Sequence, residues 1–347
     1  MKRIKVRTSH PYEVIIERGG INKCGEYISS VTKSRKAAVI TDNIVGDIYL
    51  KTVTDSLEKK GFECTSFVFP NGEQSKNLTN LGNIFDFLCE SNITRSDVIV
   101  ALGGGVVGDI TGFAAASFLR GVDYVQIPTT LLAQIDSSVG GKTAIDIPGG
   151  KNLVGAFKQP ALVICDSDTL KTLTKEILSD GMAEAVKYGM IRDKKLFELI
   201  ESHDLNTIDN VMDEMVYTCI DIKRDVVEHD EFDNGERMIL NFGHTLGHAL
   251  EGWHNYTNFT HGMGVAAGMC IITKKLCGAE IYNRLEKCLK NYKLPTDIDI
   301  PMSELLPYCS KDKKRNSGSL SYIICNEIGK ADIVKVSVDE FYRLMGE

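Results

Sequence analysis

Two histidines, His244 and His248, lie four residues apart in the apolar stretch LNFGHTLGHALEGW. Residues four apart meet on one face of a helix, so the pair can share a metal ion, as the histidines of H-E-x-x-H sites do. No glutamate lies between them here, and each histidine also suits acid–base chemistry near neutral pH. The spacing alone leaves three alternatives open: two ligands of one metal, two acid–base groups, or one of each.

A glutamate and a third histidine extend the metal hypothesis. Glu184 stands three residues before Lys187 in SDGMAEAVKYGMI, a spacing that an ordinary helical ion pair also explains. His261 begins HGMGVAAGM, where a lone histidine is more often a helix cap or a core residue. One glutamate and two histidines together form a known catalytic zinc set that leaves one coordination position open. Because three histidines are available, one of them has another role.

Glycines in the first half of the chain suit a ligand that carries phosphate. Gly103, Gly104 and Gly105 follow a predicted strand and precede a predicted helix in ALGGGVVGDITG. Such a turn lets backbone N–H groups approach a pyrophosphate at a helix N-terminus. The stretch is not a G-x-G-x-x-G fingerprint, so a tight strand-to-helix turn explains it equally well. Asp42, at the end of the strand AAVIT, is placed to accept a hydrogen bond from a ribose hydroxyl.

Two lysines follow glycine pairs in the next part of the chain. Lys142 and Lys151 each come directly after Gly-Gly, and Asp136 and Asn152 lie in the same glycine-rich region. A flexible backbone with point charges suits an anionic ligand. Two solvated lysines in a surface loop are the alternative, and the repetition of the pattern favours the anion site.

The elements that must position these residues fall into two regions. Up to about Thr172, predicted strands such as KAAVITDNIV, FECTSFVFP and DVIVALGGG alternate with predicted helices. This alternation is typical of βαβ units and a parallel sheet covered on both faces. After Thr172 almost every segment is predicted helical, including a continuous helix over MILNFGHTLGHALEGW, before a short hairpin and a last helix. We predict an α/β protein with a Rossmann-like domain over 1–172 and a mostly α-helical domain over 173–347.

Composition limits the classes of function. The 347 residues are 43% hydrophobic and 25% charged, which is typical of a soluble globular chain with two cores. A net charge of −7 argues against a surface that binds nucleic acid. The ten cysteines include no C-x-x-C pair, which indicates reduced thiols. The sequence contains no run of eighteen apolar residues, so a membrane span is not expected. A cytoplasmic location is therefore expected.

The chain resembles the 3-dehydroquinate synthase family of sugar-phosphate cyclases. In order along essentially the whole chain, the likeness is carried by GGGVVGD, FLRGVDYVQIPTTLLAQIDSSVGGKTA, KNLVGAFKQP, GMAEAVKYGMI, NFGHTLGHALE and HGMGVAAGM, supported by NGEQSK and KDKK. It implies bound NAD, a divalent metal (Zn²⁺, with Co²⁺ as the substitute) and a homodimer. The implied reaction converts 3-deoxy-D-arabino-heptulosonate 7-phosphate (DAHP) to 3-dehydroquinate and phosphate. Its steps are transient NAD-dependent oxidation, phosphate elimination, re-reduction and intramolecular aldol closure.

The resemblance also implies roles for individual residues. The implied metal ligands are Glu184, His244 and His261, with His248 on the substrate side. The implied catalytic residues are Lys142, Lys187, Asn241 and His248. The implied substrate-binding residues are Arg120, Asn152, Lys223, Arg237 and Lys313, of which Arg120 would act across a dimer interface. The implied cofactor-binding residues are Asp42, Glu73, Lys76, Gly104, Gly105, Val106, Asp109, Thr129, Thr130, Asp136, Lys142, Lys151, Thr169 and Thr172.

Two positions depart from the family pattern, and other activities compete. Met263 stands where the family usually has glutamate, and Asp146 where it usually has asparagine. A sibling cyclase would use the same chemistry on a sugar phosphate without a carboxylate. A metal-dependent polyol dehydrogenase would carry out net hydride transfer, and a non-catalytic NAD-binding protein would do neither. Arg237 and Lys223 favour a carboxylated substrate.

The hypothesis of a carboxylated substrate predicts where Arg237 lies. If one helix continued through GERMILNFGH, then Arg237, Asn241 and His244 would share a face beside the metal. The alternative is an exposed arginine at a helix start, paired with Glu236 or Asp233, which would contribute little to stability and nothing to catalysis.

Overall fold

The computed structural model describes residues 1–254, 259–309 and 319–346. The chain forms two compact units, one of Met1–Leu173 with Lys223–Phe232 and one of Thr174–Ile222 with Asp233–Glu347. The predicted class, α/β with a parallel sheet and a separate helical part, is confirmed. Nothing in the sequence indicates that Lys223–Phe232 belongs with the first unit. There, Glu231 binds Ser9 and Gln159, two residues remote in sequence. Lys313 lies outside the described residues.

A seven-stranded sheet and a separate hairpin form the strands of the first unit. They are β1 (Lys2–Val6), β2 (Tyr12–Ile16), β3 (Lys36–Asp42), β4 (Glu63–Phe69), β5 (Val98–Gly103), β6 (Asp123–Pro128), β7 (Lys142–Ile147), β8 (Gly150–Phe157) and β9 (Leu162–Cys165). The sheet order is β1-β2-β9-β6-β5-β3-β4, and only β1 runs antiparallel to its neighbour. The remaining strands β7 and β8 pair with each other.

The strand order reverses between β3 and β5. The chain passes from β3 outward to β4, then crosses back so that β5 pairs with the other side of β3. In open α/β sheets, ligands bind at such a switch point, outside the carboxyl ends of the strands. Asp42 ends β3, and Gly103 ends β5 with Gly104 and Gly105 directly after it, so the topology brings the two predicted nucleotide contacts to that edge.

Helices cover both faces of the sheet. The helices of this unit are α1 (Cys24–Val31), α2 (Asn43–Val45), α3 (Lys51–Glu58), α4 (Leu78–Glu90) and α5 (Gly105–Ser117). Successive strand residues enter opposite cores: Val39 and Val100 pack on one face, Ile40 and Ile99 on the other. This burial on both faces explains why the strands read as unbroken apolar runs.

The glycine-rich region after Asp136 contains an antiparallel hairpin that the sequence analysis did not predict. A Cβ at Gly155 would lie 2.1 Å from the carbonyl oxygen of Thr143, so the two strands approach too closely for any other residue there. Near the turn, Asn152 adopts a left-handed φ of 55°. Its backbone N–H donates to Asp146 Oδ1 at 2.8 Å, which fixes the turn.

The second unit is mostly helical. Its elements, with the helix that leads back to the first unit, are α6 (Lys175–Arg192), α7 (Lys194–Glu201), α8 (Met212–His229), α9 (His244–Trp253), α10 (His261–Leu276), α11 (Ala279–Asn291), α12 (Met302–Cys309), β10 (Ser319–Glu327), β11 (Lys330–Ser337) and α13 (Val338–Gly346). Helix α6 is buried from Gly181 to Ile191, as expected of an internal helix. Within the ranges that the structure describes, no helix is long and apolar enough to cross a membrane.

The prediction of one continuous helix over 238–253 is wrong. Glu236–Asn241 is a 3₁₀ helix, Phe242 is not helical (φ −58°, ψ 123°), and α9 begins only at His244 after Gly243, whose φ is 81°. Arg237, Asn241 and His244 therefore do not share one face of a single helix. The break serves packing, because a Cβ at Gly243 would lie 2.5 Å from the carbonyl oxygen of Val265 on α10.

Glycines let α9 and α10 touch backbone to backbone. A Cβ at Gly268 would lie 2.1 Å from the carbonyl oxygen of Gly243. One turn along, a Cβ at Gly264 would lie 2.9 Å from the carbonyl oxygen of Gly247. Each helix begins with a histidine, and this contact determines how near the two histidines lie.

We predict that Gly268→Ala destabilises the protein by about 1–3 kcal/mol, the usual cost of overpacking a filled core. Gly82→Ala is the matched control, since Gly82 lies within α4 and a Cβ there meets no atom within 4 Å. That change should stabilise the protein by roughly 0.5–1 kcal/mol, because alanine favours a helix interior. Urea unfolding of both variants measures the difference. A Gly268→Ala protein as stable as Gly82→Ala would contradict the close contact.

Candidate functional site

Glu184, His244 and His261 meet in the second unit. Each offers one ligand atom, and these atoms lie within 4.8 Å of one another. Glu184 Oε1 lies 3.4 Å from His244 Nε2 and 3.1 Å from His261 Nε2. Three different helices supply the donors, α6, α9 and α10. One carboxylate and two imidazoles fit a divalent metal such as Zn²⁺, with room for a fourth ligand.

The outer nitrogens of the two rings also have partners. His244 Nδ1 lies 3.2 Å from the carbonyl oxygen of Phe242, so a proton on Nδ1 leaves Nε2 free to bind a metal. His261 Nδ1 lies 3.6 Å from Oε2 of the buried Glu251. The sequence analysis did not single out Glu251. A signal for it exists, because Glu251 follows His244 by seven residues, two turns along the same helical face.

Charge within this cluster is balanced by close pairing. Lys187 Nζ forms an ion pair with Glu184 Oε2, and both side chains are essentially inaccessible to solvent. Burial opposes ionisation of Glu184, yet Lys187 and the two histidines hold its pKa well below the ordinary value. Burial lowers the pKa of His244. Burial also acts to lower the pKa of His261, but Glu184 and Glu251 outweigh it and raise that pKa to about 10.

His248 lies beside this cluster, and Arg237 is buried in the same unit. His248 is exposed one turn after His244, with ring centroids 5.5 Å apart from His244 and 6.0 Å from His261. Arg237 is only 3% exposed, so the alternative of an exposed arginine at a helix start is wrong. The exposed Glu236 beside it pairs instead with Arg192. Asn241 is exposed at the end of the 3₁₀ helix.

The glycine turn of the first unit has the features of a phosphate site. Gly104 caps α5 in an extended conformation, and Gly105 is its first residue. A Cβ at Gly104 would lie 3.1 Å from Thr130 Cγ2, and one at Gly105 would lie 3.3 Å from Ser137 Oγ, so larger residues would crowd the turn. The buried Thr129 hydroxyl has no hydrogen-bond partner in the described part of the chain, leaving one polar group for a ligand. Val106 follows in the first turn of α5.

Several predicted cofactor-binding residues form a charge network around the buried Lys76 in the same unit. Lys76 Nζ lies 2.6 Å from Asp109 Oδ2 and 2.5 Å from Asn152 Oδ1. Glu73 lies 3.8 Å from Lys76 Nζ and 4.0 Å from Lys151 Nζ. Burial raises the pKa of Asp109 and of Glu73, because Lys76 only partly compensates for lost hydration. Lys76 therefore connects residues predicted to bind the cofactor with Asn152, predicted to bind substrate.

Other residues that are predicted to bind the substrate or the cofactor make hydrogen bonds within the protein. Lys223 Nζ donates to the backbone carbonyl of Asp136 at 2.7 Å and also pairs with its carboxylate. Asp42 Oδ1 accepts from the N–H groups of Ile44 and Val45, so it caps a helix. The hydroxyl of Thr169 donates to the backbone of Asp166, and that of Thr172 lies 3.0 Å from Tyr49 Oη. Their roles toward a cofactor stay predictions.

Lys142 and Arg120 lie at exposed positions. Lys142 begins β7. Arg120 follows α5 in a run of three left-handed residues, with φ of 49° at Leu119, 67° at Arg120 and 125° at Gly121. The structure describes one chain, so the action of Arg120 on a partner subunit stays a prediction.

Comparison with known families decides where the chain belongs. A model for the N-terminal part of 3-dehydroquinate synthase matches residues 66–180, and one for its C-terminal part matches residues 181–315. A 3-dehydroquinate synthase of Clostridium botulinum (strain Alaska E43 / Type E3) is 44% identical over 342 residues, covering 95% of this chain and 96% of the relative. The chain belongs to the 3-dehydroquinate synthase family.

Solved structures of sibling enzymes share the fold of this member of the 3-dehydroquinate synthase family. A 2-deoxy-scyllo-inosose synthase complexed with carbaglucose-6-phosphate, NAD⁺ and Co²⁺ matches with a TM-score of 0.88 at 24% identity, covering 99% of both chains. A 2-epi-5-epi-valiolone synthase from Streptomyces hygroscopicus with NAD⁺ and Zn²⁺ bound matches with a TM-score of 0.87 at 21% identity, covering 99% of this chain and 98% of the other. At these identities the likeness concerns the fold alone.

We predict different outcomes for the two histidines of α9. Glu184→Ala and His244→Ala should remove the metal and abolish activity, because each deletes one of three protein ligands. His248→Ala should retain metal near the unaltered stoichiometry while turnover falls roughly 10²–10⁴-fold, the range for a lost acid–base group. Metal analysis of the purified proteins separates the two roles. Metal loss in His248→Ala equal to that in His244→Ala would make the pair a shared helical site.

Proposed function

We propose that this chain catalyses the conversion of DAHP to 3-dehydroquinate and phosphate. It would act as a phosphate-eliminating carbon–oxygen lyase in the shikimate pathway, which leads to chorismate and the aromatic amino acids. The observation that carries the proposal is the convergence of Glu184, His244 and His261 beside the buried Lys187 in a member of the 3-dehydroquinate synthase family, with a second buried cation, Arg237, in the same unit.

The proposed cofactors are NAD and a divalent cation, Zn²⁺ or Co²⁺. When bound, the cation polarises the reacting oxygen and NAD takes up and returns the hydride. We assign the cation to Glu184, His244 and His261, whose donor set fits it. The pyrophosphate is assigned to the turn at Gly104 and Gly105, which offers a helix N-terminus at the switch point. The two sibling structures, solved with NAD⁺ and either Co²⁺ or Zn²⁺, support the same pair of cofactors.

The substrate carries a phosphate and a carboxylate, and both need cationic partners. The side chains proposed to bind them are Lys142, Asn152, Lys187, Lys223, Arg237 and, outside the described residues, Lys313. Arg237 is assigned to the carboxylate, because a buried guanidinium binds it through two parallel N–H···O bonds. His248 is assigned a proton-holding role beside the metal ligands, since it is exposed on the same helix one turn away. Asn241 would orient the substrate by hydrogen bonding.

We further propose a cytoplasmic homodimer in which Arg120 reaches the partner's site. Net charge and composition support a cytoplasmic enzyme that acts on a small molecule, not on nucleic acid. The left-handed backbone at Leu119 and Arg120 supports a specialised role for this arginine, because such conformations are costly for residues other than glycine.

Phosphate release with catalytic NAD tests the proposed function. We expect the protein, given DAHP, substoichiometric NAD and Zn²⁺, to release phosphate over many turnovers without stoichiometric NADH. The hydride returns to the substrate in each cycle, so absorbance at the NADH band should stay near its starting value. NADH formed in step with product would instead indicate a polyol dehydrogenase. A protein that neither releases phosphate nor forms NADH would contradict the proposal that this chain is either enzyme.

Arg237→Lys tests which cyclase this is. The variant should lose roughly 1.5–3 kcal/mol of DAHP binding, the range for hydrogen bonds to charged groups. With a substrate analogue that lacks the carboxylate, the loss should be much smaller, because the missing interaction is absent from both proteins. Arg192→Lys is the matched control, since Arg192 pairs with Glu236 at the surface. Equal losses on both substrates would favour a sibling cyclase.

A further inference from the structure

Glu251 is a buried carboxylate that the proposed function leaves without a role. Its side chain is 7% exposed on α9, three residues after His248 and seven after His244. Its neighbours Ala249 and Leu250 are also buried. Burial removes the hydration of a carboxylate, and the resulting cost in free energy is large unless a partner compensates for it. The group that Glu251 faces therefore indicates its role.

Glu251 faces the outer nitrogen of a proposed metal ligand. Its Oε2 lies 3.6 Å from His261 Nδ1, and on the opposite side of that ring Nε2 lies 3.1 Å from Glu184 Oε1. The imidazole thus lies between two carboxylates, one at each nitrogen. A shift of roughly 0.7 Å would bring Glu251 to the distance of a charge-assisted hydrogen bond.

The two proposed histidine ligands have outer partners of different charge. His244 Nδ1 faces the neutral backbone carbonyl of Phe242, whereas His261 Nδ1 faces the carboxylate of Glu251. A histidine that binds a metal through Nε2 keeps a proton on Nδ1, and an acceptor there orients the ring and makes it a stronger ligand. A carboxylate has a greater effect than a carbonyl because its negative charge stabilises the positive charge that the ring acquires.

We propose that Glu251 is a positioning residue that holds the His261 ring, with its proton on Nδ1, in the orientation that binds the divalent cation. The inference rests on the proposed metal site of Glu184, His244 and His261. Glu251 does not contact substrate or cation; it acts through His261.

A different arrangement of the same side chains is the main competitor. His248, Glu251 and His261 also offer ligand atoms within 4.8 Å of one another, so Glu251 would itself bind a metal there. That site would use His261 Nδ1, the nitrogen on the far side of the ring from Glu184. Three helices converge on the Nε2 side, whereas His248 is exposed. The geometry therefore favours the Nε2 site, with Glu251 as the acceptor behind it.

Zinc affinity of the metal-free protein tests the proposal without using activity. In chelator competition we expect Glu251→Ala to bind Zn²⁺ roughly 10–100-fold more weakly, the usual effect of removing an outer partner of a metal-binding histidine. Glu251→Gln retains an oxygen acceptor of the same shape and should recover part of that loss. Both variants should bind one Zn²⁺ per chain, as should the unaltered protein, and their Co²⁺ spectra should keep the same coordination number.

Glu201→Ala is the matched control, because it removes another carboxylate of the second unit, one that binds Arg284 at 2.6 and 3.1 Å. It should lower thermal stability without changing Zn²⁺ affinity. Equal Zn²⁺ affinity of Glu251→Ala and the unaltered chain would overturn the proposal, as would no difference between Glu251→Ala and Glu251→Gln. Two Zn²⁺ per unaltered chain, reduced to one in Glu251→Ala, would make Glu251 a ligand. An unaltered chain that binds no Zn²⁺ would instead reject the metal site of the proposed function.

Discussion

The backbone contact between α9 and α10 is the constraint on which the candidate metal centre depends. His244 and His261 are the first residues of these helices, so their separation is set by how closely the helix starts approach. Four glycines, at positions 243, 247, 264 and 268, leave no side chain between the two backbones. Glu184 reaches both rings only because they lie side by side. The absence of side chains on one surface thus creates the site on another.

Charge burial is the second feature of this region. Glu184, Lys187 and Glu251 are all removed from water, and isolated charges at such depth would be costly. Each is paired: Glu184 with Lys187, and both carboxylates with His261. Pairing of this kind adds little to stability compared with apolar packing, but loss of one partner leaves an uncompensated charge. The presence of the whole set in one region is therefore better explained by the function of the site than by folding.

Much of this arrangement could be predicted from the sequence, and the failures have physical causes. The glycine turn after β5 follows from local chemistry, which a sequence displays directly. The choice of Glu184, His244 and His261 as a set came from the family resemblance, because spacing alone left the roles of the histidines open. The break at Phe242 and Gly243 does not, because apolar spacing continues through it and the need for a left-handed glycine arises from a carbonyl on another helix. Glu251 has helical spacing from His244, yet its partner His261 comes from α10.

The same distinction applies to the missed hairpin and to the return of the chain to the first unit. Glycines before β7 and within β8 conceal the strand pattern, and Gly155 allows a close approach that only the folded pair requires. The placement of Lys223–Phe232 depends on contacts such as that between Glu231 and Ser9, which are more than two hundred positions apart. Long-range contacts of this kind leave no local pattern.

The antiparallel strand β1 has a consequence for how the protein behaves among its copies. A parallel sheet that ended at β2 would present unpaired backbone groups of an apolar strand, and such an edge recruits strands from other molecules. β1 covers that edge, and its exposed residues are Lys2, Arg3 and Lys5, of which Arg3 forms an ion pair with Glu13. An incoming strand would have to desolvate these charged side chains to pair there. The strand β1 therefore protects the seven-stranded sheet against pairing with strands of other molecules.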